Sequence, residues 1–361
     1  MLADPVPLER LRRALVIKLR HHGDVLLASP VFTVLKNRVP ELEIDALVYA
    51  DTASMLELHP AITSVHRVDR DWKRQGPMAR MRAEYRLLAA LRVRHYDLVI
   101  HLTGHPRGAW LARATGARYS VAPELADKPN WWRNSFTHLY GQPANARRHT
   151  VECNLDALRR IGIQPGEDER RLVLVAGEAA EEKVTALLGE HGLGVKSFIH
   201  FHPASRWLFK CWPVDQNAEL LARLYGAGQR VVLTAAPDAR EQAMIEAIVA
   251  AAGVPAVNLA GRLTLKELAA LAGQARLFIG VDSAPMHIAA AMGTPCVALF
   301  GPSGELEWHP WGVPHRIVAS RAHPCRPCGI DGCGGGKISE CLTTLPLAQV
   351  LEAVASLGVP A

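Results

Sequence analysis

The stretch RLFIGVDSAPMHIAAAMGTPCVALFGPS, Arg276 to Ser303, decides the reading of the fold. Its two apolar runs, 276–281 and 296–301, are short and show no alternation, the mark of strands buried on both faces. An Ala-rich helix, 285–292, is expected between them, with Pro285 at its first position, where a missing N–H is no loss. Strand, helix and strand in that order make a parallel crossover. Asp282 ends the first strand, Ser283 and Ala284 form a tight turn, and His287 falls on the first helical turn. Asp282 as a helix cap and His287 as a core residue is one reading. A strand end, small turn, helix start and returning strand together favour another, a ligand site whose free backbone N–H groups suit a diphosphate.

The same alternation extends outward through the chain. Strands are expected at 14–19, 44–49, 64–69, 96–102, 197–202, 230–236 and 256–261, besides the two above. Helices are expected at 25–39, 52–58, 77–94, 213–226, 238–252 and 264–274, with a closing one at 346–357. Buried strands separated by helical patterns define an α/β protein with parallel sheets. The pattern breaks at IQPGEDERR (163–171), which is polar and contains Pro and Gly, as interdomain linkers do. The expectation is therefore two doubly wound, Rossmann-like domains, residues 1–170 and 171–361, facing a central cleft. No internal sequence repeat is visible.

Composition excludes several classes. The 361 residues are 49% hydrophobic and 21% charged, which suits a globular chain. No apolar run reaches the ~18 residues of a membrane span. RRALVIKLRHHGD (12–24) has too few apolar residues together for a signal peptide, so a soluble cytoplasmic protein is expected. Charge divides unevenly: residues 1–150 hold 23 Lys and Arg against 14 Asp and Glu, a net of +9. The rest holds 18 against 21, a net of −3. A basic first half suits an anionic partner or, equally, a solvated basic surface.

Ligands of open parallel sheets sit beyond the carboxyl ends of the strands. Four segments lie there. In KLRHHGDVLLASP (18–30), Asp24 is either a helix cap or a general base that accepts a hydroxyl proton, beside the basic Arg20, His21 and His22. In HFHPASRWLFKCWP (200–213), Ser205 offers a hydroxyl and Lys210 a point charge, both phosphate-binding types. Glu241, early in its helix, favours the helix dipole or bonds ribose hydroxyls. The fourth segment is the one quoted first. No G-x-G-x-x-G follows strand one and no P-loop is present, so a dinucleotide dehydrogenase or an NTPase loses its main support. A nucleotide-activated donor held by the second domain, passing a group to an acceptor on the first, fits better.

GDVLLASPV (23–31), HPASRWLFKCWP (202–213) and GVDSAPMHIAAAMGTPCVALFGPS (280–303) resemble the bacterial lipopolysaccharide heptosyltransferases, glycosyltransferase family 9, which have the GT-B fold. KLRHHGDVLL (18–27), the Trp207, Lys210, Trp212 spacing and DRDWKRQG (69–76) are most similar to the members that add a third, branching heptose to the inner core. The resemblance implies ADP-L-glycero-β-D-manno-heptose as donor, a lipid A-linked inner-core acceptor, inversion without a metal, and work at the cytoplasmic face of the inner membrane. It makes Asp24 the base and Lys210 the catalytic cation at the donor phosphates. Ser205, Glu241, Asp282, Ser283, Ala284 and His287 become donor contacts, while Arg20, His21, His22, Lys73 and Arg74 are expected to meet the acceptor. No nucleic-acid partner is implied. A binding protein for an anionic glycolipid or nucleotide-sugar on the same fold remains the alternative, as does a relative using another sugar or acceptor.

Four of the seven cysteines, Cys325, Cys328, Cys333 and Cys341, are spaced C-x2-C-x4-C-x7-C. In a cytoplasmic chain this density suits a structural metal or reduced, packed thiols.

Overall fold

The computed structural model describes residues 5–74, 76–141 and 147–361. The chain divides into two compact units, one ending at Val175 and the other starting at Ala176. The first unit's strands are β1 (Arg13–Ile17), β2 (Glu43–Tyr49), β3 (Ser64–Val68), β4 (Leu98–His101), β5 (Tyr119–Pro123) and β6 (His138–Tyr140). They pair in the order β3-β2-β1-β4-β5-β6, all parallel. The second unit has β7 (Phe198–His202), β8 (Arg230–Leu233), β9 (Val257–Asn258), β10 (Leu277–Val281), β11 (Cys296–Phe300) and β12 (His315–Ala319). Their order is β12-β11-β10-β7-β8-β9, again all parallel. Counted from its own first strand, each sheet runs 3-2-1-4-5-6. The two halves thus repeat one topology without an evident repeat in sequence.

Each sheet reverses its winding between its first and fourth strands, β1/β4 in one unit and β7/β10 in the other. Crossover helices on opposite faces diverge there and leave a crevice at the strand ends. Strands β4, β5, β7, β10 and β11 are buried at every residue, which is why they lack alternation. Helix Pro106–Thr115 lies directly on β4. A Cβ added at Gly108 would come 2.1 Å from the His101 ring, so only glycine allows that approach.

Several elements differ from the periodicity reading. The helix expected at 25–39 is two pieces, His22–Leu26 and Ser29–Arg38, because Pro30 has no N–H to donate to Leu26. The stretch 52–58 is a 3-10 turn, Ala50–Met55. Edge strand β9 keeps only two residues. The short β6 and β12, and β5 with its Ser120 and Pro123, gave no apolar run long enough to read. The polar 163–171 segment packs back on the first unit, where Asn37 donates to Glu169 at 3.0 Å and Arg170 pairs with Glu152 at 3.1 Å. The closing helix, Leu347–Ala355, buries Val350 and Val354 against the β11–β12 side of the second sheet.

Candidate active site

Sheet order brings the loops after β7 and β10 together, since those strands are neighbours with Gly280 beside His202. Lys210, at the end of the short 3-10 turn Leu208–Lys210, places Nζ 2.6 Å from Asp282 Oδ2. The pair is largely buried, with side-chain exposures of 23% and 9%. Two residues separated by 72 positions therefore form one ion pair at the switch point of the second sheet. Ser283 is the N-cap of helix Ala284–Ala291 in extended conformation, but its hydroxyl donates to Val281 O at 3.3 Å instead of capping. The helix begins at Ala284, one residue before the expected Pro285. Its first-turn N–H groups are left uncapped by Ser283, next to the Lys210 cation. His287 is buried on this helix, its ring 6.3 Å from Trp308.

Ser205 is buried in the same loop as Lys210, its hydroxyl accepting from Trp207 N at 3.3 Å. Beneath it, His200 Nε2 and His202 Nδ1 each lie 2.7 Å from Thr234 Oγ1. Burial keeps both rings neutral, taking His202 down to about 3 and His200 well below its ordinary value. One hydroxyl has one proton, so it donates to one ring and accepts from the other. Sequence reading missed this support; the alternation HFH at 200–202 on a buried strand was its only trace. Glu241 lies after β8 at the start of helix Ala239–Ala252, which Asp238 caps by accepting from Arg240 N and Glu241 N. One Glu241 oxygen accepts from Ala236 N at 3.1 Å, while burial raises its pKa.

In the first unit, Asp24 is the third residue of helix His22–Leu26, whose N-cap is His21. Asp24 is thus not a cap, and its half-buried side chain makes no hydrogen bond with the described residues. His22 Nε2 lies 2.8 Å from Asp51 O, and the Arg20 carbonyl accepts from Arg70 at 3.0 Å. Below this turn Lys18 is 4% exposed, with Nζ donating to Asn154 Oδ1 at 2.8 Å and to Leu102 O at 3.4 Å. Asn154 in turn donates to Leu27 O at 2.9 Å, tying the ammonium to the corner that carries Asp24. Burial lowers Lys18 to about 8, against the pull of the Asp24 carboxylate. A lysine inside the apolar run ALVIKL could have signalled this group.

A cavity of about 1010 Å³ opens in the first unit. Tyr49, Arg70, Trp72, Arg107, Trp110 and Trp131 are among its walls. The Arg70 guanidinium stacks 3.7 Å over the Tyr49 ring and pairs with Asp51, while Arg107 pairs with Glu84. Arg74 is not a wall residue: it is 86% exposed and 3.5 Å from Asp71. The Lys73 side chain lies outside the described residues. Arg107, Trp110 and Trp131 were missed in the sequence, although the first two follow β4 and obey the strand-end rule.

Cys325, Cys328 and Cys333 are exposed and Cys341 is buried. Among the described residues no group of three or more His, Cys, Asp or Glu is arranged to hold a metal ion.

Two parallel doubly wound units, the second with a buried ion pair and a helix start at its switch point, have the build of a GT-B glycosyltransferase. Residues 84–338 match glycosyltransferase family 9 (heptosyltransferase), and the chain belongs to that family. It is 36% identical over 296 residues to lipopolysaccharide heptosyltransferase 3 of Escherichia coli (strain K12), covering 81% of this chain and 83% of the relative. A second E. coli lipopolysaccharide heptosyltransferase 3 is 34% identical over 295 residues, covering 81% of this chain and 84% of that one. The crystal structure of a family 9 glycosyl transferase from Veillonella parvula DSM 2008 shares the fold, with a TM-score of 0.82 at 23% identity and 98% coverage of both chains.

Proposed function

We propose that this enzyme transfers L-glycero-D-manno-heptose from ADP-heptose to the inner core of lipopolysaccharide, as the third, branching heptose. The observation that carries the reading is the similarity to two heptosyltransferase 3 proteins over four-fifths of the chain. The acceptor hydroxyl attacks the anomeric carbon from the face opposite ADP, and the bond to the β-phosphate oxygen breaks with its electron pair. Asp24 takes the hydroxyl proton. Its carboxylate, held by no hydrogen bond among the described residues and set above a buried ammonium, is a base ready for that role. Lys210 and the N-terminus of helix Ala284–Ala291 stabilise the charge gathering on the diphosphate. Before donor binds, Asp282 keeps Lys210 in place, so the cation is already oriented.

Ser205, Ser283, Ala284 and His287 frame the diphosphate and sugar, and Glu241 meets the ribose. No metal is required, because Lys210 and the helix start supply the positive charge. On the acceptor side, the arginine and tryptophan walls of the first unit's cavity suit a saccharide bearing phosphate or carboxylate groups. Arg20 and His22 border it through the Arg70 and Asp51 contacts, and His21 lies between them in the chain. The enzyme works peripherally at the cytoplasmic face of the inner membrane, where its lipid-linked acceptor is found. Incubation with ADP-heptose and a defined truncated core, read by mass, tests the assignment. An unchanged acceptor mass with this pair would end it.

A further inference from the structure

Helix Pro77–Val93 buries only Leu87 and Leu91, which join the first unit's core with Val68 and Tyr96. Its outer side is unusual. Met78, Met81 and Tyr85 are 80%, 69% and 73% exposed, and their spacing of three and four puts them in one stripe. Arg82 and Arg86, also exposed, run one turn apart along the neighbouring flank. The one acidic residue of the helix, Glu84, is tied to Arg107. The outer face is therefore apolar along one edge and cationic along the other. Met81 also lines the cavity, together with Trp110 and Trp131, which are 49% and 46% exposed. Met81 thus links the exposed stripe to the cavity wall.

We propose that this face of helix Pro77–Val93 lies on an anionic phospholipid bilayer, with Met78, Met81 and Tyr85 entering the acyl boundary and Arg82 and Arg86 resting on lipid phosphates. The proposal rests on the reading of a lipid-linked acceptor and adds a defined docking element to it. Charge selects the occupant. A second copy would bring Arg82 and Arg86 against like charge, whereas a bilayer with negative headgroups offers both the charge and the apolar boundary that the stripe needs. Tryptophans at a membrane interface favour the same depth. The cavity would then open toward the lipid surface, where a saccharide anchored there can enter without leaving the membrane.

Co-sedimentation of the full chain with phosphatidylcholine vesicles, with and without phosphatidylglycerol, tests this at low and high salt. The wild-type chain should bind only the anionic vesicles and retain part of that binding at high salt. Arg82→Ala with Arg86→Ala should lower anionic-vesicle partition by roughly 10- to 30-fold, since each surface arginine is worth about a factor of five. Met78→Ser with Tyr85→Ser should abolish the salt-resistant fraction while leaving the electrostatic part. On a delipidated, soluble acceptor both pairs should turn over like wild type, which separates docking from catalysis. Wild-type binding that ignores phosphatidylglycerol, or double variants that bind like wild type, would overturn the proposal. So would a wild-type dimer that the serine pair dissolves. Failure of wild type on the soluble acceptor would instead count against the heptosyl-transfer reading.

Discussion

The base role proposed for Asp24 rests on a carboxylate that no hydrogen bond holds among the described residues. Asp24 sits in the first turn of a five-residue helix, where a carboxylate usually caps backbone N–H groups, yet His21 holds the cap position. Asp24→Asn preserves size and should leave ADP-heptose affinity within a few-fold of wild type. Its single-turnover transfer rate should fall by ~10²–10⁴, the usual cost of losing a general base; calorimetry and rapid quench measure the two. Lys18, buried beneath, makes a second prediction. Its folded pKa of about 8 lies below the ordinary 10.5, because burial disfavours the ammonium. Below pH 8 both folded and unfolded chains hold the proton, and the burial cost is fully present. Between pH 8 and 10.5 the folded chain releases it first, so stability rises with pH across that window. Relative to Lys18→Met, wild type should gain up to about 3 kcal/mol there in denaturant titrations. Parallel stability curves for the two proteins would show that Lys18 does not titrate in this way.

At the scale of elements, the Lys210–Asp282 pair depends on β7 and β10 being neighbours. Lys210→Ala removes a charge-assisted contact and leaves Asp282 without its partner, beside the incoming diphosphate. ADP affinity should fall roughly 10- to 100-fold, with a further loss in transfer rate, by calorimetry and steady-state kinetics. Wild-type ADP affinity in that variant would remove Lys210 from the donor site. The close approach of helix Pro106–Thr115 to β4 gives a packing prediction. Gly108→Ala drives a Cβ into the His101 ring, which is itself wedged near Trp132 and Phe136. A loss of about 1–3 kcal/mol is expected in urea unfolding, the usual cost of overpacking.

Across the whole molecule, the two units share one topology, while charge divides unevenly along the chain, +9 in residues 1–150 and −3 in the remainder. The basic part holds the arginine-lined cavity, so an anionic acceptor should be steered to it and screened by salt. Raising ionic strength should raise the acceptor KM more than it weakens ADP-heptose binding. An acceptor KM insensitive to salt would return the basic surface to a solvated one. Among the described residues no helix is long and apolar enough to cross a membrane.

The apolar runs of the buried strands and the small residues after β10 were enough to specify a parallel α/β chain and the positions of Asp24, Lys210 and Asp282. Those signals are local: a strand buried on both faces must be apolar throughout, and a helix start needs particular residues at particular places. The strand order, and with it the meeting of Lys210 with Asp282, came only from the tertiary structure, because pairing joins segments whose spacing in the chain carries no record of it. The same holds for Lys18, which looks like one charge in an apolar run until Asn154, 136 residues later, closes over it. The cavity was also invisible, since Trp72, Arg107 and Trp131 come from separate helical segments, Arg70–Lys73, Pro106–Thr115 and Asn130–Arg133, that only the folded sheet brings to one edge. Sequence determined which residues could do chemistry, and folding decided which of them face one another.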